Sequence, residues 1–426
     1  MNEFIAYLHS AELRARNITD ARHFSRRRVL DFVTLICWFL GGNRACVQTE
    51  LDRFFAVLRN QAELVRGVSA QALSKARQNL PHTVFTDLNQ RLLALVEQHI
   101  DVPRWHGLRV VAADASDVRL TARDATRRVI RCAKVFALYL PGVEMMLRAT
   151  LYGTDTGERQ MLFEHLDLLG KNDLLVLDRG YPASWLMAAL QARGIRFCMR
   201  IDGIGGKPVS AFLRSGASEA IVTLPAPNRP DAADYELERS PVTVRLIRVV
   251  TPEGRVRVLA TSLLDASNWP AAEFGALYHQ RWRVEEAFRR IKHRIDLESV
   301  SGLSWLAHQQ DLAAKILNDN LSSLLCLDAL HERDGHISEG ALSVLQSPGG
   351  SALLKINRTR AFAHIRQCLP RWLSDGIRPL DELARLLRHI AQNVIQFVPG
   401  RTRPRPPQPK PHKALAAKTV MEASLS

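Results

Sequence analysis

The sequence predicts an α/β chain, helical at both ends, with a β-rich insertion late in its sheet. Three observations predict it. Residues 1–104 and 296–399 carry apolar residues at helical spacing. Residues 105–201 alternate apolar runs, turn signals and helix-like stretches in the order three strands, helix, strand, helix, strand. Residues 203–269 interrupt that order with a Gly-rich loop (Gly203, Gly205, Gly206), a Pro/Asn/Asp-rich stretch and two alternating runs joined by Pro252, Glu253 and Gly254.

In the N-terminal part, Leu30, Val33 and Cys37 mark one helix, and Leu51, Phe54, Phe55 and Leu58 mark another. Two more helices follow on either side of Pro81. Arg26, Arg27, Arg28, Arg66, Lys75 and Arg77 give this part cations that could meet a phosphate backbone. From Trp105 the character changes. A short apolar run over 108–113 ends in Asp114, and 128–139 and 143–152 read as strands around the hairpin signal Pro141-Gly142. Residues 158–169 read as a helix. Leu174 to Leu177 is wholly apolar, as in a strand buried on both faces, and stops at Asp178. Residues 182–193 then read as a helix and 195–201 as a strand. Pro270 opens a long helix, and further helices follow, one over 312–330. The tail from residue 400 is rich in proline, with six Lys/Arg against one Glu over 401–426, and is expected to be extended and disordered. The domains expected are thus 1–104, helical; 105–295, α/β, with the insertion 203–269; 296–399, helical; and the 400–426 tail.

The 426 residues carry a net charge of +15, which points to a polyanionic partner, nucleic acid ahead of a membrane surface. The longest apolar run, 29–40, contains Asp31 and Thr34 and is too short to span a bilayer. No signal-peptide layout is present, so the chain is expected in the cytoplasm. Six scattered cysteines without a Cys-x-x-Cys pair read as reduced core thiols rather than a disulfide framework or a zinc site.

Residues 278–292 carry most of the chemistry. Read as one helix, they place Tyr278, Arg281, Glu285 and Lys292 within an arc of about 60°. Leu277, Val284, Ala287, Phe288, Ile291 and Ile295 fill the next arc, and Arg283, Arg290 and Arg294 make a solvated basic flank opposite. Glu286 lies further round, toward that flank. Trp282 could stack on a displaced base but is expected in the core. The ends of apolar strands offer partners for Glu285, because ligands of open α/β sheets gather outside the carboxyl ends of strands. Asp114 and Asp178 both stand there; Asp117, Asp173 and Asp202 are the weaker alternatives. Three close carboxylates repel, and divalent cations relieve that repulsion. Oxygen donors without a Cys or His cluster favour magnesium or manganese. Two such ions about 3.5–4 Å apart can serve phosphoryl transfer. Tyr278, Arg281 and Lys292 would hold a phosphate beside them.

The chain resembles bacterial insertion-sequence DDE transposases of the IS-four-like group, whose signature is Tyr-x2-Arg-x3-Glu-x6-Lys. The signature stands here as Tyr278, Arg281, Glu285 and Lys292, with every spacing kept. The second-aspartate motif is matched by Asp178-Arg179-Gly180-Tyr181. The segment before the signature is matched by 259–265 and by 277–282. The first-aspartate motif is Asp114-Ala115-Ser116, where the family usually has glycine after the aspartate. Residues 69–81 resemble the family's N-terminal DNA-binding region, and the likeness spans about residues 20–405.

The resemblance implies an RNase H-like catalytic domain with the β-rich insertion between the second aspartate and the glutamate. It implies cut-and-paste transposition: metal-dependent cleavage at the inverted-repeat ends of an insertion sequence, then strand transfer into target DNA. Asp114, Asp178 and Glu285 would hold two Mg2+ or Mn2+ ions, and Tyr278, Arg281 and Lys292 would bind the end. The partner is double-stranded DNA, with a homodimer in the synaptic complex, no membrane, and a place on the bacterial nucleoid. A DNA-binding repressor without activity, or a nuclease of the same fold that cuts without joining, are the alternatives.

Overall fold

The computed structural model describes residues 1–25, 28–41, 45–123, 126, 129–201, 206–251, 254–294, 296–334, 344–346, 353–377 and 379–398. Arg26, Arg27, Asp202, Gly203, Gly205, Pro252, Glu253, Ile295 and the 400–426 tail lie outside them. The chain divides into two compact units. One comprises residues 1–101, 118–132 and 289–426; the other comprises 102–117 and 133–288.

The N-terminal part of the first unit is helical: α1 (Asn2–Leu8), α2 (Ala11–Asn17), α3 (Phe32–Leu40), α4 (Val47–Leu58), α5 (Ala70–Arg77) and α6 (Thr83–His99). Short polar residues start three of them. The side chains of Ser10, Asp31 and Ser69 accept the N–H of Leu13, Thr34 and Ala72 in turn, satisfying donors that a helix leaves unpaired.

The second unit is built on a sheet, and three of the elements named with it, β1, β2 and α12, also include residues assigned to the first unit. Its elements are β1 (Arg109–Arg123), β2 (Val129–Leu140), β3 (Met145–Tyr152), α7 (Glu158–Phe163), β4 (Asp173–Leu177), α8 (Ser184–Ala192), β5 (Arg196–Arg200), α9 (Gly206–Ser215), β6 (Glu219–Leu224), α10 (Arg229–Asp234), β7 (Val242–Val250), β8 (Val256–Thr261), α11 (Phe274–His279) and α12 (Trp282–Arg294). The strand order is β3-β2-β1-β4-β5-β8-β7-β6. β2 and β3 form the antiparallel hairpin, while β4 runs parallel to β1, and β5 parallel to β4. That is the arrangement of an RNase H-like fold. The strands of 203–269 extend the same sheet, since β8 pairs antiparallel with β5, β7 with β8, and β6 with β7.

All five residues of β4 are buried, and for Leu174 to Leu177 this is what their unbroken apolarity predicts. Each fully buried Leu or Val there contributes about 1.5–3 kcal/mol. One face of the sheet packs Val110, Leu174, Val176, Ile247 and Leu259 against Phe274, Leu277 and Tyr278 of α11. Asp173, a weaker site candidate, sits at the opposite end of β4 from Asp178. It takes Arg109 at 2.6 Å and the N–H of Gly170 at 2.9 Å, a structural role.

Three expected elements differ. β1 runs past Asp114 to Arg123 rather than stopping at 113. The helix expected over 158–169 ends at Phe163 and is followed by a 3-10 turn, Leu166–Leu168. The single helix expected over 278–292 is two. At the junction Arg281 bonds to Tyr278 and Val284 to Arg281, each three residues back, which tightens the turn. No Gly or Pro marks the break, so apolar spacing could not reveal it.

The first unit is completed by α13 (Trp305–Asp334), β9 (Val344–Gln346), β10 (Leu353–Ile356), α14 (Arg358–Asp375), α15 (Leu380–Gln392) and β11 (Val394–Phe397). α13 is 30 residues long and buries polar groups along its length. Asn318 donates to the carbonyl of Leu40, Asn320 to Asn89, and Arg358 donates to Ser323. Arg77, expected among the cations that could meet a phosphate backbone, does not face solvent. It is 6% exposed. It donates to Gln310 and Ser301 at 2.8 Å and lies 3.8 Å from Asp311. Arg66 pairs with Asp52 at 2.8 Å. None of the six cysteines is in a disulfide, but Cys46 and Cys132 are exposed rather than in the core. Among the described residues no helix is long and apolar enough to cross a membrane.

Removing one partner of a buried ion pair strands the other charge. Arg77→Ala is therefore expected to cost about 3–5 kcal/mol in denaturant unfolding. A loss of DNA affinity at unchanged stability would mark Arg77 as a backbone contact instead.

Candidate active site

Asp114 and Asp178 stand at one level of the sheet. β1 and β4 pair in parallel with Ala112 opposite Val176, and each aspartate lies two residues beyond that pair. Adjacent strands are about 4.8 Å apart, so the register alone brings the two side chains into one neighbourhood. Both are half-buried. Asp114 Oδ1 accepts the N–H of Ala115 at 2.9 Å, and Asp178 Oδ1 accepts the N–H of Gly180 at 2.7 Å. The second bond folds the chain tightly back. A Cβ on Gly180 would lie 3.0 Å from Asp178 Oδ1, which is why glycine fits there.

Glu285 enters from the first turn of α12 and is half-buried, whereas Glu286 is exposed. Arg281 joins it to the aspartates. Arg281 is 5% exposed. Its Nη2 donates to Glu285 Oε1 at 2.7 Å, and its Nη1 lies 4.0 Å from Asp114 Oδ2. Its Nε is buried without a partner. Burial opposes the Arg281 charge, but the Glu285 bond and the nearby Tyr278 and Asp114 raise its pKa above the usual value.

Burial pushes the Asp114 carboxyl up to about 7; Arg281 opposes this, while Glu285 and Asp178 add to it. Burial likewise pushes the Tyr278 phenol up to about 12, where it is a neutral donor at physiological pH. Lys292 lies on α12, half-buried, two turns beyond Glu285.

The basic flank expected on α12 is not a solvated one. Arg283 donates to the carbonyl of Pro141 at 3.2 Å and nears Glu144, and Arg290 forms an ion pair with Asp319 at 2.7 Å. The side chain of Arg294 lies outside the described residues. Trp282 is not in the core either: α12 turns it outward, 39% exposed, with the Arg281 guanidinium 4.9 Å from its ring centroid.

Two residues join the site that sequence reasoning gave no role. Glu158, at the start of α7, is half-buried. Its carboxyl is raised by burial and by Asp178. No sequence signal pointed to it. Tyr181 was legible as the aromatic after Asp178-Arg-Gly, but its burial beneath the carboxylates was not.

Among the described residues no three His, Cys, Asp or Glu side chains are gathered closely enough to hold a metal ion. Arg281 stands between Asp114 and Glu285. The donor chemistry nonetheless suits a hard divalent cation. The groups are carboxylates, and Glu285 and Asp178 each add to the rise of the Asp114 carboxyl that burial begins, a repulsion that a cation would relieve.

A family model for a transposase DDE domain matches residues 105–321. A curated relative, transposase InsG for insertion sequence element IS4 of Escherichia coli (strain K12), is 29% identical over 239 residues, 53% of either chain. The chain thus spans about half the length of the curated relative it matches. Among solved structures, the piggyBac transposase synaptic complex with hairpin DNA aligns with 94% of this chain and 86% of its own, at 12% identity and a TM-score of 0.42.

The raised Asp114 pKa fixes the sign of one prediction. The unfolded carboxyl ionises near 3.8 and the folded one near 7, so stability falls as pH rises between these values and levels off above them. Asp114→Asn should therefore raise the thermal midpoint of the cation-free protein, by about 2–4 °C for each kcal/mol recovered. The gain should be full above pH 7 and vanish toward pH 4. A midpoint that drops in the variant at pH 8 would contradict it.

Proposed function

Because the chain belongs to the transposase DDE-domain family, we propose that it is a DNA transposase, a polynucleotidyl transferase that cuts the ends of an insertion sequence and joins them to target DNA. The observation that carries this reading is the shared level of Asp114 and Asp178 on parallel β1 and β4, with Glu285 linked to Asp114 through Arg281.

In this reading Asp114, Asp178 and Glu285 hold divalent cations, Mg2+ or Mn2+. When bound, such ions lower the pKa of an attacking water and stabilise the leaving 3′ oxygen. The protein's own groups do the rest. Arg281 holds one oxygen of Glu285, and on releasing it leaves both oxygens of that carboxylate open to a cation and its own fork open to a phosphate of the DNA end. Tyr278, neutral and buried, donates from the floor of the site. Lys292 adds a point charge further along α12. Trp282, exposed beside Arg281, offers a face on which a base can stack. In the first unit, Arg22, Arg28 and Lys75 line a cleft of about 690 Å³, a basic surface suited to a DNA backbone. Two protomers would pair two ends in the synaptic complex, on the bacterial nucleoid.

Glu285→Gln should leave binding of labelled inverted-repeat DNA intact in a gel-shift assay. Cleavage should fall by on the order of 10³-fold, the loss of several kcal/mol of transition-state stabilisation. Wild-type cleavage in that variant would remove Glu285 from the site. Lys292→Ala should reduce the salt dependence of end binding by about one counterion and lower the strand-transfer yield. Trp282→Ala should weaken capture of an unstacked base by about 1–3 kcal/mol, read with 2-aminopurine at the end position. An unaltered 2-aminopurine signal would return Trp282 to a packing role.

A further inference from the structure

The start of α7 and the loop after β4 carry, one each, two groups that the three-carboxylate reading leaves unused. Tyr181 is fully buried, and its hydroxyl has no hydrogen-bond partner. Burying an O–H without an acceptor is costly, so its retention calls for an acceptor that arrives in another state of the site. The charges that act on the phenol are, strongest first, those of Glu158, Asp114 and Asp178, with Arg281 opposing.

Glu158 is the complementary case. It is half-buried, and its charged neighbours are Asp178, Lys134 and Asp117, two of them carboxylates. The first turn of α7 is tied to the Asp178 loop, because Arg159 Nε donates to the carbonyl of Gly180 at 3.0 Å. Over that same glycine the two carboxylates converge. A Cβ there would meet Asp178 Oδ1 at 3.0 Å and Glu158 Oε2 at 3.8 Å. A buried donor without an acceptor and a carboxylate facing like charge thus adjoin one tight turn.

We propose that Glu158 is a fourth carboxylate of the cation-binding cluster, on the Asp178 side, and that the Tyr181 hydroxyl is the positioning donor that fixes it. A divalent cation converts the repulsion between Glu158 and Asp178 into shared attraction. Glu158 then settles beside Asp178, and the phenol gains the acceptor it lacks. This inference rests on the reading above only in that the cation is the one Asp114 and Asp178 hold.

The test is Mn2+ binding by the full chain without DNA, read from the electron paramagnetic resonance of free Mn2+, with thermal melting of each variant alongside. Glu158→Gln should weaken binding by about 10–100-fold, and Tyr181→Phe by about 10-fold, the range seen when groups that orient a metal site are lost. Glu158→Ala, which removes the acceptor outright, should match Glu158→Gln. Tyr181→Phe should leave the midpoint of the cation-free protein unchanged or higher, since the hydroxyl it removes is unpaired. In the Glu158→Gln background it should add nothing. Wild-type affinity in Glu158→Gln overturns the proposal. So does a Tyr181→Phe variant that melts lower without cation, or that weakens binding equally in both backgrounds. If the wild-type chain binds no Mn2+, or Asp178→Asn binds as wild type does, the acidic cluster itself is misread and both conclusions fall.

Discussion

The parallel pairing of β1 with β4 is the constraint on which the rest depends. Side chains alternate along a strand, so a slip of one residue would carry Asp114 to the other face of the sheet and leave Asp178 without its neighbour. The register is held at one end and along its length. Arg109 and Asp173 are paired residues and also share an ion pair at 2.6 Å, while the apolar residues between them and the aspartates are buried. The acidic site is thus the far end of a structure anchored by a salt bridge and a dry core.

Placing carboxylates at the end of buried strands has an electrostatic cost that the protein meets from another element. The break between α11 and α12 lets Tyr278 pack into the core with Leu277 and Phe274 while Arg281 turns in toward Asp114 and Glu285. The carboxyl of Asp114 is raised chiefly by its burial, against the pull of the Arg281 guanidinium, with smaller contributions from Glu285 and Asp178. The Nε of Arg281 stays unpaired.

The first unit solves a different problem with the same materials. α13 is too polar to be an ordinary core helix, yet its Gln310, Asp311, Asn318 and Asn320 are buried. Each meets a partner remote in sequence, such as Arg77, Ser301, the carbonyl of Leu40 or Asn89. Buried polar groups tolerate few alternative arrangements, since a shifted helix would leave several of them unpaired. The helices of residues 1–101 that touch α13 are therefore held by directional bonds as well as by apolar area.

By itself the sequence determined the α/β class, the order of strands and helices through β5, and the residue types and spacing of the acidic and basic groups. Those features are local: the apolar run Leu174–Leu177 is a buried strand by composition, and Pro141-Gly142 is a turn by dihedral preference. The tertiary structure alone decided which groups meet. Nothing in the spacing of 278–292 shows that the helix breaks at Arg281, that Trp282 faces out, or that Arg290 is spent on Asp319, because each depends on what packs against the helix. Arg77 reads as a surface cation only until α13 covers it. Glu158 of α7 adjoins the Asp178–Gly180 turn through the fold, a proximity between distant residues that no periodicity encodes.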